Sequence, residues 1–305
     1  MSFSTNIKNE ISNIMYSKAE SMSELSAILN IGATINKNNF SILTENPSVA
    51  RRIYKLIKDL YHINIIMDKE TLNRKRKNYL IEIKVEEKVN FILKDLSLIN
   101  NNNSRKYVPK EFLISDIEEK QAYLRGVFLI CGSVNDPKTS RYHLEFMIEH
   151  KSTAVFVNKI LNELNYNSKI LKRDKNYMVY IKESEKISDF IKLLNAYTSL
   201  FYYEDIRIYR DHKNMTNRLN NCEQANIDKI ISSSNEQLKN IEKLLKKYDY
   251  EVLDDKIKEI IYYKQKYPES SLEELAGIIS TETEKKITKS GINHRFRKIK
   301  EMIKD

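Results

Sequence analysis

Apolar positions along the chain change period several times. Val49, Ile53, Leu56, Ile57 and Leu60 recur at helical spacing, as do Val155, Ile160, Leu161 and Leu164. Short apolar or alternating runs at residues 40–43, 63–67, 79–85, 143–146 and 177–181 predict strands. Residues 89–96 and 187–194 return to helical spacing. In order, the pattern predicts helix, strand, strand, helix, strand, strand, helix, and it predicts that order twice.

The residues themselves repeat. Residues 25–35 lie over 124–134 without a gap, and both runs are apolar, built around small residues and closed by a small, a hydroxyl and an aliphatic side chain. Residues 48–60 match 152–164, and 77–81 recur as 175–179. Three blocks in the same order, about 100 residues apart, indicate an internal duplication. Small residues in an apolar helix let two backbones approach closely. Two copies of such a helix, paired at a pseudo-two-fold axis and each leading into its own sheet, form a saddle.

That arrangement resembles the LAGLIDADG homing-endonuclease fold, with the nine-residue motif laid on residues 25–33 and 124–132. The resemblance implies an acid at the eighth position of each motif, holding a divalent metal at the scissile phosphate. Gly32 and Cys131 stand there, and neither ligates a hard, oxygen-preferring cation. Asp136 is a candidate displaced ligand, but its counterpart in the first copy is Lys37, so no pair forms. The expectation is a nuclease scaffold without nuclease chemistry, with no metal and no cofactor.

Beyond the second repeat, residues 203–226 are polar and Asn-rich with neither apolar period, and read as a connector. A helical pattern then returns in Leu238, Ile241, Leu244 and Leu245, followed by three more helices. Leu253, Ile257, Ile260 and Ile261 mark the first, which Tyr267-Pro268 ends. Ser271-Leu272-Glu273-Glu274 is a capping box that opens the second. After a polar turn over 280–286, Ser290 is the expected N-cap of the third, whose apolar stripe is Ile292, Phe296, Ile299 and Ile303.

Charge changes the picture most at this end. The chain carries 52 basic against 42 acidic residues, a net of +10. Residues 285–305 hold eight of the basic ones against Glu301 and Asp305. Asn293, His294, Arg295, Arg297 and Lys298 lie opposite the apolar stripe of the last helix. A trihelical unit ending in such a helix suits a helix-turn-helix, whose recognition helix offers its first turns to base edges in the major groove. Lys289, Ser290 and the helix N-terminus suit a backbone phosphate, and the later basic residues suit others. A basic surface helix that enters no groove is the competing reading. His294 could also respond to pH, though base or phosphate contact fits its position better. The run Arg74-Lys75-Arg76-Lys77, at the turn between two predicted strands, is either a phosphate contact or a solvated turn.

Other classes are excluded. The five glycines stand apart, so no phosphate-cradling loop exists. Two cysteines and five scattered histidines make neither a disulfide framework nor a zinc site. No apolar segment is long enough to cross a membrane, and the expected location is the cytoplasm, on the nucleoid.

The chain is identified as a member of the WhiA family of bacterial sporulation and cell-division regulators. The strings that carry the resemblance are Tyr123-Leu124-Arg125-Gly126-Val127-Phe128-Leu129, Cys131-Gly132-Ser133-Val134-Asn135-Asp136-Pro137, Glu204-Asp205-Ile206-Arg207 and Ile287-Thr288-Lys289-Ser290-Gly291-Ile292-Asn293-His294-Arg295. Ala33 departs from the commoner glycine of the first motif. The resemblance implies an α+β fold: a duplicated, degenerate LAGLIDADG-like saddle over 1–202, in repeats of about 1–100 and 101–202, joined by a connector at 203–226 to an all-α domain over 227–305 with its helix-turn-helix at about 270–303. It further implies sequence-specific binding of double-stranded DNA in transcription regulation, or in cell division and chromosome segregation, with a sigma factor or another protein as a possible partner of the repeat domain. The alternative is an interaction scaffold whose DNA affinity is incidental.

Overall fold

Ser2 starts the first helix, α1 (Phe3–Ile11), by accepting a hydrogen bond from the Thr5 amide, and Ser17 starts α2 (Lys18–Gly32) through a reciprocal capping box with Glu20. The computed structural model describes residues 2–73, 78–139 and 141–304. From α2 the chain passes directly into β1 (Ala33–Ile35), then β2 (Phe40–Thr44), α3 (Pro47–Tyr61), β3 (Ile66–Asn73), β4 (Asn78–Val85) and α4 (Val89–Asp95). The second repeat is α5 (Ile117–Cys131), β5 (Gly132–Val134), β6 (Leu144–Ile148), α6 (Lys151–Glu163), β7 (Lys169–Arg173), β8 (Asn176–Ile181) and α7 (Ser184–Leu193).

The two antiparallel sheets have the same strand order, β1-β2-β4-β3 and β5-β6-β8-β7. Corresponding positions open corresponding strands: Ala33 pairs with Ile42, and Gly132 with Phe146. Helices α2 and α5 pack against each other, and one apolar cluster runs from Phe3 to Tyr203 through both repeats. The duplicated α+β architecture expected from the sequence is present.

The chain divides into two compact units, Met1–Arg210 and Asp211–Asp305. In the second, Ile241 and Leu244 near the end of α8 (Tyr197–Lys247) share a core with α9 (Asp255–Lys266), α10 (Leu272–Thr283) and α11 (Lys289–Lys304). Leu275, Ile279, Ile292, Phe296 and Ile299 fill its centre.

Four local expectations need correction. The connector read at 203–226 is helical throughout, as part of α8. That helix contains neither Gly nor Pro, and over residues 211–233 it is exposed on all sides, so this length has no buried face for a period to reveal. Strand β3 starts at Ile66, not residue 63, because His62 closes α3 in the left-handed region (φ 50°) and a short loop follows. Helix α10 continues to Thr283, which shortens the polar turn expected at 280–286 from its front. Helix α11 begins at Lys289, so Ser290 sits in its first turn and the Thr288 hydroxyl takes the capping role, accepting from the Gly291 amide at 3.2 Å. The basic run at 74–77 lies outside the described residues.

Candidate nucleic-acid interface

Helix α11 is held by its apolar stripe, with Ile292, Phe296 and Ile299 buried against α9 and α10. This turns Ser290, Asn293, His294 and Arg297 outward, and all four are exposed. At spacings of three and four residues they share one helix face. Among the described residues, no ion pair engages Arg297.

The other basic residues are engaged within the unit. Arg295, read from sequence as a base contact, bonds the Glu259 carboxylate on α9 at 2.5 Å, with side-chain exposures of only 16% and 19%. Its guanidinium braces α11 against α9 instead of facing outward. Lys298 lies 3.3 Å from Asp254, Lys289 3.4 Å from Glu273, and Lys300 2.7 Å from Glu236. These three pairs are well exposed, where ion pairs are worth little and exchange readily for phosphate. The Arg295 pair differs because it is mostly sheltered. Sequence periodicity placed Arg295 on the polar side but could not show that α9 offers it an acid.

Gly32 and Cys131, at the two seats of the lost metal acids, end α2 and α5. The Cys131 thiol is pushed up to about 12 by burial, which the nearby Lys8 ammonium only partly offsets, and it donates to the Val127 carbonyl of its own helix at 3.4 Å. Asp136, the candidate displaced ligand, accepts from the Lys138 amide at 2.9 Å and the Tyr202 hydroxyl at 3.2 Å, as a turn-stabilising side chain does. No group of three or more His, Cys, Asp or Glu side chains able to hold a metal occurs among the described residues. No helix among them is long and apolar enough to cross a membrane.

One cluster went unread in the sequence. Glu24 on α2, fully buried, accepts Arg52 from α3 at 2.8 and 2.9 Å and Arg125 from α5 at 2.7 Å. Arg125 also lies over the Tyr16 ring, 3.3 Å from its centroid. A carboxylate from one repeat thus binds an arginine from the other at the helix pair. Three charges scattered through apolar surroundings carry no local signature, so only the fold reveals them.

A duplicated LAGLIDADG-like fold whose acid seats are empty of acid, together with a C-terminal helix-turn-helix, defines the class. The WhiA N-terminal LAGLIDADG-like domain family matches residues 18–99, the WhiA LAGLIDADG-like domain family 120–213, and the WhiA C-terminal HTH domain family 216–303. The chain belongs to the WhiA family. The probable cell division protein WhiA of Staphylococcus haemolyticus is 37% identical over 308 aligned positions, covering 99% of this chain and 96% of its own length. The Staphylococcus saprophyticus protein of the same name is 36% identical with the same coverage. The crystal structure of full-length DUF199/WhiA from Thermatoga maritima superposes with a TM-score of 0.60 at 22% identity, covering 100% of this chain and 98% of that one.

Proposed function

We propose that this chain is a non-enzymatic, sequence-specific binder of double-stranded DNA. It acts in the cytoplasm, on the nucleoid, as a transcription regulator tied to cell division and chromosome segregation or to sporulation. The observation that carries the reading is the outward face of α11. Ser290, Asn293, His294 and Arg297 stand together, exposed, on the first turns of the last helix of a trihelical unit. Asn293 offers a donor and an acceptor and Arg297 a fork of donors for base edges, while Lys289 and Lys298 neutralise phosphate. Arg295 acts one step back, holding the helix in place through Glu259. The relatives' name, probable cell division protein, supports the cellular setting.

The direct test is fluorescence anisotropy with a duplex selected from genomic sequence and a scrambled control. Asn293→Ala with Arg297→Ala is expected to weaken specific binding by about 1–3 kcal/mol per lost base contact and to leave non-specific binding nearly unchanged. Affinity should fall steeply with salt, as phosphate contacts require. Incubation of supercoiled plasmid with Mg²⁺ or Mn²⁺ should leave it uncut, because a glycine and a thiol, neither a ligand for a hard cation, occupy the metal seats.

A second reading, in which the repeat domain binds a sigma factor or another protein, draws on the exposed apolar side chains of Val108 and Val155. Both line one cavity with Phe156 and Tyr107. A scaffold whose DNA affinity is incidental would bind selected and scrambled duplexes alike.

A further inference from the structure

Helix α1 has no counterpart in the duplication. It lies against the start of α3 in its own repeat and against β5 of the other. Phe3, Ile7 and Ile11, spaced by four residues, are buried there. The Ser4 hydroxyl accepts from the Val134 amide at 2.8 Å and donates to the Val134 carbonyl at 2.9 Å. At the α3 N-cap, the Asn46 side-chain amide donates to the Asn9 side-chain oxygen at 3.0 Å.

The pseudo-two-fold relation assigns a second seat with matching walls, β1 in place of β5 and the start of α6 in place of α3. That seat is an open cavity of about 940 Å³. Among its lining residues are Ile35, the counterpart of Val134, and His150, the counterpart of Asn46. Ile31 and Ala33, which flank Gly32, line it as well, just as Lys8 of α1 lies near Cys131. Residues 100–110, which match α1 in chain position, form no helix and leave the centre open. Burial records the difference. Gly132 and Val134 of β5 are buried under α1, whereas Ala33 and Ile35 of β1 are half-buried and Thr34 is exposed.

Helix α1 shows what fits such a seat: an amphipathic helix with large apolar side chains at i, i+4 and i+8. Charge narrows the choice. Asp136 lines one cavity with Asn6 and Asn9 of α1, while its counterpart at the open seat is the exposed Lys37. Glu149 in the open wall has its match in Glu45, so it does not separate the two seats. Asn46 caps α3 with its side chain, but His150 makes no such bond to α6, whose positive dipole end is left without a side-chain cap. Both differences favour acidic side chains on the occupant.

We propose that this open seat binds an acidic amphipathic helix of a partner protein. Its apolar face covers β1, and its carboxylates meet Lys37 and the start of α6. The inference rests on the reading in which the repeat domain binds a protein, but it names a different place from the face of Val108 and Val155.

The probe is a labelled, stapled peptide of residues 2–14 of this chain with Asn6→Glu and Asn9→Glu, titrated by fluorescence anisotropy against the full-length protein. Saturable binding is expected, with the Asn6→Lys, Asn9→Lys form of the peptide bound about fivefold more weakly or worse. Lys37→Glu in the protein, a surface change, should weaken the acidic peptide about fivefold and narrow or reverse that preference. Val155→Asp should leave binding unchanged. No saturable binding of the acidic peptide, or binding indifferent to Lys37→Glu, would overturn the proposal. Binding lost with Val155→Asp but not with Lys37→Glu would refute this seat while the partner reading survives at the Val108 and Val155 face. Self-association of the free chain that the peptide abolishes would make the occupant a second copy, and would equally overturn it.

Discussion

Glu24 neutralises one of the two guanidinium groups that face it, so the centre of the repeat domain holds a net buried positive charge. Such a cluster is tolerable only while every member stays paired. Truncating the carboxylate strands Arg52 and Arg125, 4% and 1% exposed, in the core. Glu24→Ala is therefore expected to cost about 3–5 kcal/mol, read as a lowered urea midpoint for the repeat domain. An unchanged midpoint would mean that water or another acid compensates the arginines. At this scale the sequence was only partly legible. The substitution of Gly32 and Cys131 for acids was plain, because a motif fixes the position. The Glu24 cluster and the Arg295 brace were not, since each joins residues from separate elements.

Among the elements, α2 and α5 set the tightest constraint. A Cβ at Gly126 would overlap the backbone carbonyl oxygen of Glu24 and lie 2.8 Å from the Ala27 Cβ, whereas one at Gly32 would meet only the Ile130 side chain, at 3.0 Å. Backbone cannot yield as a side-chain methyl can. Gly126→Ala should destabilise by about 1–3 kcal/mol and Gly32→Ala by much less, a difference that thermal melts of the pair will show. Small residues at both positions were visible in the sequence, but which one the packing requires was not.

In the C-terminal unit, Lys264 of α9 is fully buried, and its Nζ donates to the Ser270 carbonyl at 2.9 Å. Burial holds its pKa below the ordinary 10.5. The unfolded chain then binds that proton more tightly than the folded one. Stability should rise as pH climbs through the folded pKa toward 10.5, and Lys264→Met should abolish the rise. Melts of both proteins from about pH 8 to about pH 10 provide the comparison, and parallel curves would contradict it. The capping boxes at Ser17 and Ser271 illustrate the local chemistry involved: a hydroxyl and a glutamate three residues on suffice to start a helix. The stretch from 211 to 226 illustrates the opposite case, a length of helix with no buried face and hence no period.

Across the whole molecule, duplication was the most legible feature, because ungapped blocks in one order survive even where the functional acids do not. The identical strand orders of the two sheets follow from it. The division of labour was less legible. Charge concentrated in the last helix pointed to DNA, but charge alone did not separate the braced Arg295 from the outward Arg297. On the proposed function, the exposed face of α11 selects DNA sites. Genome-wide mapping of bound sites, comparing the full-length chain with its Asn293→Ala, Arg297→Ala variant at equal abundance, tests it most directly. Discrete peaks sharing a sequence motif are expected in the parent, and their loss in the variant. Peaks that persist unchanged in the variant would contradict it.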